Sequence, residues 1–295
     1  MNNLLERLPR GARVTIIRLR SLGDCVLTTP AIRLLKTFRP DLEISVVVED
    51  RFRAVFEGNP DIGRLGPSAI TADLCLNFHG GTRSAFLTAR SLARFRAGFA
   101  HFRWPALYNI RIPRAQQILG EERTVHTAEH LASAMFYLGV PRTEIPAARL
   151  YAEPERRQRP YAVLHPFASR ADKTWPAARF IELARELSTE LDPVFLAGPA
   201  DDPAPFRDFE VLANAPLRRV MEVIAGASLF IGNDSGPAHV AAGFGLPVVV
   251  LFGRSDPAIW AAWKTAARVL CERAGMDAIP VAAVLEAASQ LKVEA

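Results

Sequence analysis

Residues 228–253, SLFIGNDSGPAHVAAGFGLPVVVLFG, constrain this chain more than any other stretch. The apolar run 229–231 stops at Gly232. Asn233, Asp234 and Ser235 are turn and helix-cap residue types, and Pro237 suits the first helical position, where no N–H is needed. Gly236, Ala238, Ala241, Ala242 and Gly243 let other groups come close to the helix backbone. Gly245 and Pro247 then lead into a second apolar run at 248–251. The order is strand, polar turn, small-residue helix, strand. A strand that empties into a helix N-terminus offers free N–H groups and a positive dipole end to an anion. Asp234 and His239 add polar groups beside that point. The stretch reads as a pocket for a diphosphate and a sugar, not merely a crossover between strands.

The same alternation runs through the whole chain. Strand patterns fall at 14–17, 43–48, 74–78, 161–164 and 194–197. Helix patterns fall at 28–38, 51–56, 83–92, 126–138, 175–187, 217–225 and 281–291. Between the two series, 140–160 holds four prolines and the charged cluster 153–159, the best linker candidate. Two successive series predict an α/β chain of two parallel-sheet domains with helices on both faces. The expected domains are residues 1–155 and 156–295, with the last helix free to pack back on the first. Either half of a 295-residue chain can bury a core. Ligands in such folds sit beyond the carboxyl ends of strands, which singles out the loops 19–24, 165–175, 198–202 and 232–239.

Composition narrows the class. Hydrophobic residues make up 49% and charged residues 23%, as in a soluble globular protein. The opening MNNLLERLPRG is too short and too charged for a signal peptide, and the uncharged run 240–253 is shorter than a membrane span. Cys25, Cys75 and Cys271 form no CxxC and no ligand-like spacing, which favours reduced thiols in the cytoplasm and no metal site. The net charge of +5 is uneven, because residues 1–155 hold 21 Lys+Arg against 15 Asp+Glu. No acid intervenes between Asp73 and Glu121, yet Arg83, Arg90, Arg94, Arg96, Arg103, Arg111 and Arg114 all fall there. Phe86, Phe95, Phe99, Phe102, Trp104 and Tyr108 are interleaved with them. Two readings stay open: a solvated basic face over core aromatics, or a docking surface for an anionic partner such as a phosphorylated lipid at a membrane. No nucleic-acid motif is present, so nucleic acid is not an expected partner.

Three further loops carry candidate chemistry. Leu22-Gly23-Asp24 follows the first strand and lacks GxGxxG, which argues against a dehydrogenase. Asp24 is then either a general base or a helix N-cap. Lys173, one of four lysines beside 32 arginines, stands with Thr174 ahead of a helix start. Both suit a diphosphate, with help from Ser169 and Arg170, although a solvent-facing loop lysine reads the same way. Trp175 is a core anchor. In LAGPADDP, Asp201 suits ribose hydroxyls or a helix cap. No GxSxG elbow supports a hydrolase.

Taken together, IIRLRSLGDCVLTTPAIRLLK, EISVVVEDRFRAVFEGNPDI, NFHGGTRSA, HTAEHLASAMFYLG, HPFASRADKTWP, FLAGPADD and the opening stretch resemble the family 9 glycosyltransferases, the bacterial heptosyltransferases of lipopolysaccharide core synthesis. The resemblance covers nearly the whole chain. It implies a GT-B fold, two facing Rossmann-like domains, the first binding acceptor and the second a nucleotide-sugar. It implies an inverting transfer with neither metal nor cofactor, in keeping with the absence of a DxD motif. Asp24 matches the family's proposed base, with Ser21 and Gly23 beside it. These two, with Arg83 and Arg103, are the expected acceptor contacts. Lys173, Thr174, Asp201, Asp234, Ser235, Gly236 and His239 are the expected donor contacts. The implied partners are ADP-heptose or a related donor, and an anionic glycolipid or core oligosaccharide at the inner leaflet of the membrane. Asn77 departs from the family's usual acid at that position, and Arg18 stands where some members carry Lys. Other chemistry on the same fold, such as epimerisation, and a catalytically idle binding module are the alternatives.

Overall fold

The computed structural model describes residues 3–67, 71–272 and 274–293. It divides into two compact units, Met1–Tyr151 and Ala152–Ala295. In the first, β1 (Arg13–Ile17), β2 (Glu43–Val47), β3 (Arg64–Gly66), β4 (Leu74–Asn77), β5 (Phe95–Phe99) and β6 (Ile110–Ile112) form one sheet, ordered β3-β2-β1-β4-β5-β6. In the second, β7 (Tyr161–His165), β8 (Asp192–Ala197), β9 (Glu210–Ala213), β10 (Leu229–Asn233), β11 (Val248–Phe252) and β12 (Ala267–Cys271) are ordered β12-β11-β10-β7-β8-β9. Every strand pairing among the described residues is parallel. The expected two parallel-sheet α/β domains are therefore present. In each sheet the chain starts at the centre, winds to one edge, returns, and winds to the other. The winding direction switches between β1 and β4, and again between β7 and β10.

Parallel neighbours need crossovers, and helices supply most of them. In the first unit these helices are α1 (Leu22–Val26), α2 (Thr29–Phe38) and α3 (Thr82–Arg90), followed after β6 by α4 (Ala115–Leu119) and α5 (Thr127–Leu138). In the second they are α6 (Ala177–Leu187), α7 (Leu217–Ala225), α8 (Gly236–Gly243), α9 (Pro257–Trp260) and, after β12, α10 (Val281–Val293). Helices on both faces leave central strands no wet side. β10 and β11 are buried along their whole lengths, which is why their sequences are apolar runs without alternation. α2 starts with Pro30 in its first turn, buries Ala31, Ile32, Leu34 and Leu35, and packs on α5.

The second unit's core gathers Trp175, Phe180, Phe195, Phe206, Ile231, Val249 and Leu251. Phe195 and Phe206 stack with ring centroids 4.4 Å apart. Burying a side chain of this size contributes roughly 1.5–3 kcal/mol. Val284, Ala287, Ala288 and Leu291 of α10 belong to this same core. The sequence leaves the last helix free to return to the first unit. In the structure it packs on α6, β11 and β12. The chain ahead of β7 also lies on the second unit. Glu155 N–H donates to the Glu222 carbonyl at 3.0 Å, and Arg157 lies 4.5 Å over the Tyr161 ring. Gly226 permits this approach, since a Cβ there would stand 2.1 Å from the Glu155 carbonyl oxygen.

Candidate active site

In the second unit, the loops after β7 and β10 meet at the switch point. His165 ends β7, and its Nδ1 lies 3.0 Å from Ser235 Oγ. Ser235 precedes α8 in extended backbone, and with its hydroxyl on His165 its side chain makes no cap hydrogen bond to that helix. The first-turn N–H groups of α8, and the positive end of its dipole, are left to an anion. Burial pushes His165 down to about 4, against an opposing influence of Asp201. The ring is therefore neutral at pH 7.

Lys173 reaches into the same place. Its Nζ is 2.9 Å from Asp234 Oδ2, with 22% and 7% of the two side chains exposed. Ser255 donates to that carboxylate oxygen at 2.5 Å. Asp234 thus holds the lysine. The end of β11 lies tight against the loop, and only a glycine fits there: a Cβ on Gly253 would stand 2.0 Å from the Asp172 carbonyl oxygen.

Asn233 fastens the loop at both ends. It is fully buried; its Oδ1 accepts from the Trp175 N–H at 3.1 Å and its Nδ2 donates to the Pro166 carbonyl at 2.8 Å. Trp175 is indeed a core anchor, since its indole N–H donates to the Ile279 carbonyl at 3.0 Å and its ring meets Phe180 edge-on at 4.9 Å. Asn233→Ala strands one donor and one acceptor in the core, at about 1–3 kcal/mol each. The expected outcome is a melting temperature lower by several degrees, read by calorimetry. An unchanged melting temperature would mean that water replaces the amide.

The remaining expected donor residues are placed differently. Gly236 is the first residue of α8, beside Ser235. Thr174 Oγ1 donates to the Arg170 carbonyl at 2.9 Å, closing its own loop. Asp201 accepts the Gly198 N–H at 2.7 Å, which makes it a turn residue rather than a helix cap. His239 sits one turn into α8, buried, with its ring 6.5 Å from Trp260. Lys173, Asp234, Ser235 and Gly236 are the residues brought together.

In the first unit the switch point carries Asp24. Ser21, not Asp24, is the N-cap of α1; Asp24 is the third helical residue and completes a capping box. This corrects the cap reading: the carboxylate supports the cap, with Ser21 Oγ donating to Asp24 Oδ2 at 2.9 Å. Its other oxygen receives the guanidinium of Arg18, which is buried and also donates to the Phe78 carbonyl. Arg18 therefore ties the loop after β1 to the loop after β4. A second tie is His79 Nδ1, 3.2 Å from the Arg20 carbonyl. A carbonyl only accepts, so Nδ1 carries the proton and Nε2 of the neutral ring is left as an acceptor. Burial, then the Arg18 charge, holds His79 below the usual imidazole range.

Asn77 explains its own departure from the family pattern. Its Oδ1 accepts from the N–H groups of His79 and Gly80 at 2.9 and 3.1 Å, while its Nδ2 donates to Tyr108 OH and Thr88 Oγ1 at 2.9 and 3.1 Å. An ionised carboxylate could not make those donations. Of the expected acceptor contacts, Gly23 is buried in α1, Arg83 pairs with Glu49 at 3.1 Å, and Arg103 is exposed. Sequence reasoning missed His165, Ser255, His79 and the pairing role of Arg18. Their one signal is position, at or just past the end of a central strand.

Among the described residues, no group of three or more His, Cys, Asp or Glu stands where it could hold a metal ion. No helix among them is long and apolar enough to cross a membrane. Residues 68–279 match the model of glycosyltransferase family 9 (heptosyltransferase). The chain is 26% identical over 292 residues to lipopolysaccharide heptosyltransferase 3 of Escherichia coli, covering 83% of this chain and 85% of that one. It is similar in fold to the family 9 glycosyl transferase of Veillonella parvula, with a TM-score of 0.86, 22% identity and coverage of 96% and 98% of the two chains. It is likewise similar to the E. coli heptosyltransferase WaaC solved with ADP, with a TM-score of 0.80, 20% identity and coverage of 95% and 99%. With the match spanning the loops after β4, β7, β8, β10 and β11, the chain belongs to glycosyltransferase family 9.

Proposed function

We propose that this protein is a heptosyltransferase. It moves a heptose, or a related sugar, from an ADP-linked donor to an anionic glycolipid or core-oligosaccharide acceptor of lipopolysaccharide assembly. The observation that carries the reading is the family match over residues 68–279, which includes the Lys173–Asp234 pair at the start of α8. A cation beside open N–H groups is what a departing diphosphate needs. The transfer is a single displacement with inversion. The acceptor hydroxyl oxygen bonds to the anomeric carbon as its proton passes to Asp24. The bond from that carbon to the diphosphate oxygen breaks, and its electron pair leaves with ADP. Lys173 and the α8 N-terminus meet the developing negative charge, so no metal is required. Ser21 shares the Asp24 loop, and His79 Nε2 accepts from a second acceptor hydroxyl. Arg83 and Arg103 attract the acceptor's phosphates. The reaction takes place at the cytoplasmic face of the inner membrane.

A thermal-shift titration with ADP, UDP, GDP and dTDP, all in EDTA, tests the donor half. Ligand at about 100 times its Kd stabilises by about 2.7 kcal/mol, or several degrees for a domain of this size. ADP alone is expected to give that shift. A response to UDP in place of ADP, or one that demands a divalent cation, would overturn the reading.

A further inference from the structure

The three most exposed large hydrophobic residues among the described ones are Leu92 at 80%, Phe86 at 56% and Trp104 at 54%. All three fall inside the acid-free basic stretch, while Phe99 and Tyr108 of that stretch are buried. Phe86 is on α3, and the other two flank its ends. The indole Nε1 of Trp104 donates to Thr82 Oγ1 at 3.4 Å, on the first turn of α3. Phe86 stands one turn further along the same face, with Arg83 and Arg90 beside it. Leu92 follows just past the helix's end. Trp104 and Leu92 also sit in left-handed backbone, with φ of 60° and 53°. Bulky residues disfavour that conformation, and neither gains burial from adopting it.

We infer that this face of α3 is an interfacial anchor: Trp104, Phe86 and Leu92 enter the headgroup and upper acyl region of an anionic bilayer, and the surrounding arginines bind its phosphates. The chemistry selects the occupant. Three apolar side chains fall far short of the roughly 800 Å² per partner of a stable protein interface. A second copy of this face would bring arginines against arginines. Single-stranded nucleic acid would use the rings but leave Leu92, the most exposed of the three, in water. At a bilayer each element has its place. Indoles favour the headgroup level, Phe and Leu go deeper, and Arg stems lie along the apolar surface while their heads reach phosphate.

The inference goes beyond charge attraction, because an inserted ring is not screened by salt. It rests on the membrane-borne acceptor proposed above only for its purpose. The test contains neither donor nor acceptor, so it fails or succeeds separately from the ADP titration. The full chain is mixed with phosphatidylcholine vesicles doped with phosphatidylglycerol, up to about 1 M salt, where the screening length is about 3 Å. A salt-resistant fraction of binding is expected, with tryptophan emission shifted to the blue. Trp104→Ala should remove most of that shift. Phe86→Ala with Trp104→Ala should weaken the salt-resistant binding about ten-fold or more, at an unchanged melting temperature. Complete release by salt, no vesicle binding, or a double variant that binds like the wild type would overturn the inference. So would binding to single-stranded DNA without binding to vesicles.

Discussion

Asp24→Asn is expected to cut sugar transfer by about 10²–10⁴, the usual worth of a positioned general base. ADP affinity should hold, because the proposed donor contacts, Lys173 and the start of α8, belong to the other unit. The amide keeps much of the local structure: its oxygen can still accept from the Ser21 hydroxyl, so the capping box of α1 survives in part. What it cannot do is neutralise Arg18. Arg18 is 6% exposed, and after the exchange its guanidinium retains only carbonyl partners, those of Phe78 and of residue 24 itself. A modest fall in stability, roughly 1–3 kcal/mol, should therefore accompany the loss of activity. Rates are to be compared at a temperature where both proteins are fully folded, with ADP binding as the check. Transfer within ten-fold of wild type would confine Asp24 to its structural role, as the partner that keeps Arg18 between the loops after β1 and β4.

Central strands were legible in the sequence and edge strands were not. β1, β2, β4, β7, β8, β10 and β11 all read as apolar runs, since burial on both faces demands continuous Val, Ile and Leu. The edge strands β3, β6, β9 and β12 pair on one side only. Their sequences RLG, IRI, EVLA and ARVLC carry the charges and short lengths that protect an edge, and these hide the strand pattern. β5 was hidden for a different reason. Arg96 lies inside it, and only the structure shows its guanidinium donating to the carbonyls of Ala93 and Leu107. The sites divide in the same way. Asp24, Lys173 and Asp234 could be named as candidates because each lies in the stretch between an apolar run and a helix, or at that helix's first turn. Their partners could not, because Ser255 lies 21 residues beyond Asp234 and His165 lies 70 before Ser235. Periodicity also cannot sort the aromatics of the basic stretch. Tertiary contact alone puts Phe99 and Tyr108 in the core and Phe86 and Trp104 in water.

Lys173→Ala is expected to weaken ADP binding about 10- to 100-fold while leaving adenosine binding nearly untouched. A charge-assisted hydrogen bond to phosphate is worth roughly 1.5–3 kcal/mol, and about 1.4 kcal/mol is a factor of ten. The neighbours of the lysine add a second effect. Asp234 is 7% exposed on its side chain and would keep only the Ser255 hydroxyl. A buried carboxylate that loses its cation destabilises the fold, so the melting temperature should fall as well. Asp234→Asn separates the two effects. It keeps the lysine's charge and the Ser255 contact but releases the ammonium from its fixed position, so it should cost less ADP affinity than Lys173→Ala. Calorimetric titration of both variants with ADP and with adenosine distinguishes the roles. An equal loss for the two ligands would make Lys173 a brace of the 165–175 loop. A loss confined to ADP makes it the cation that the leaving diphosphate meets.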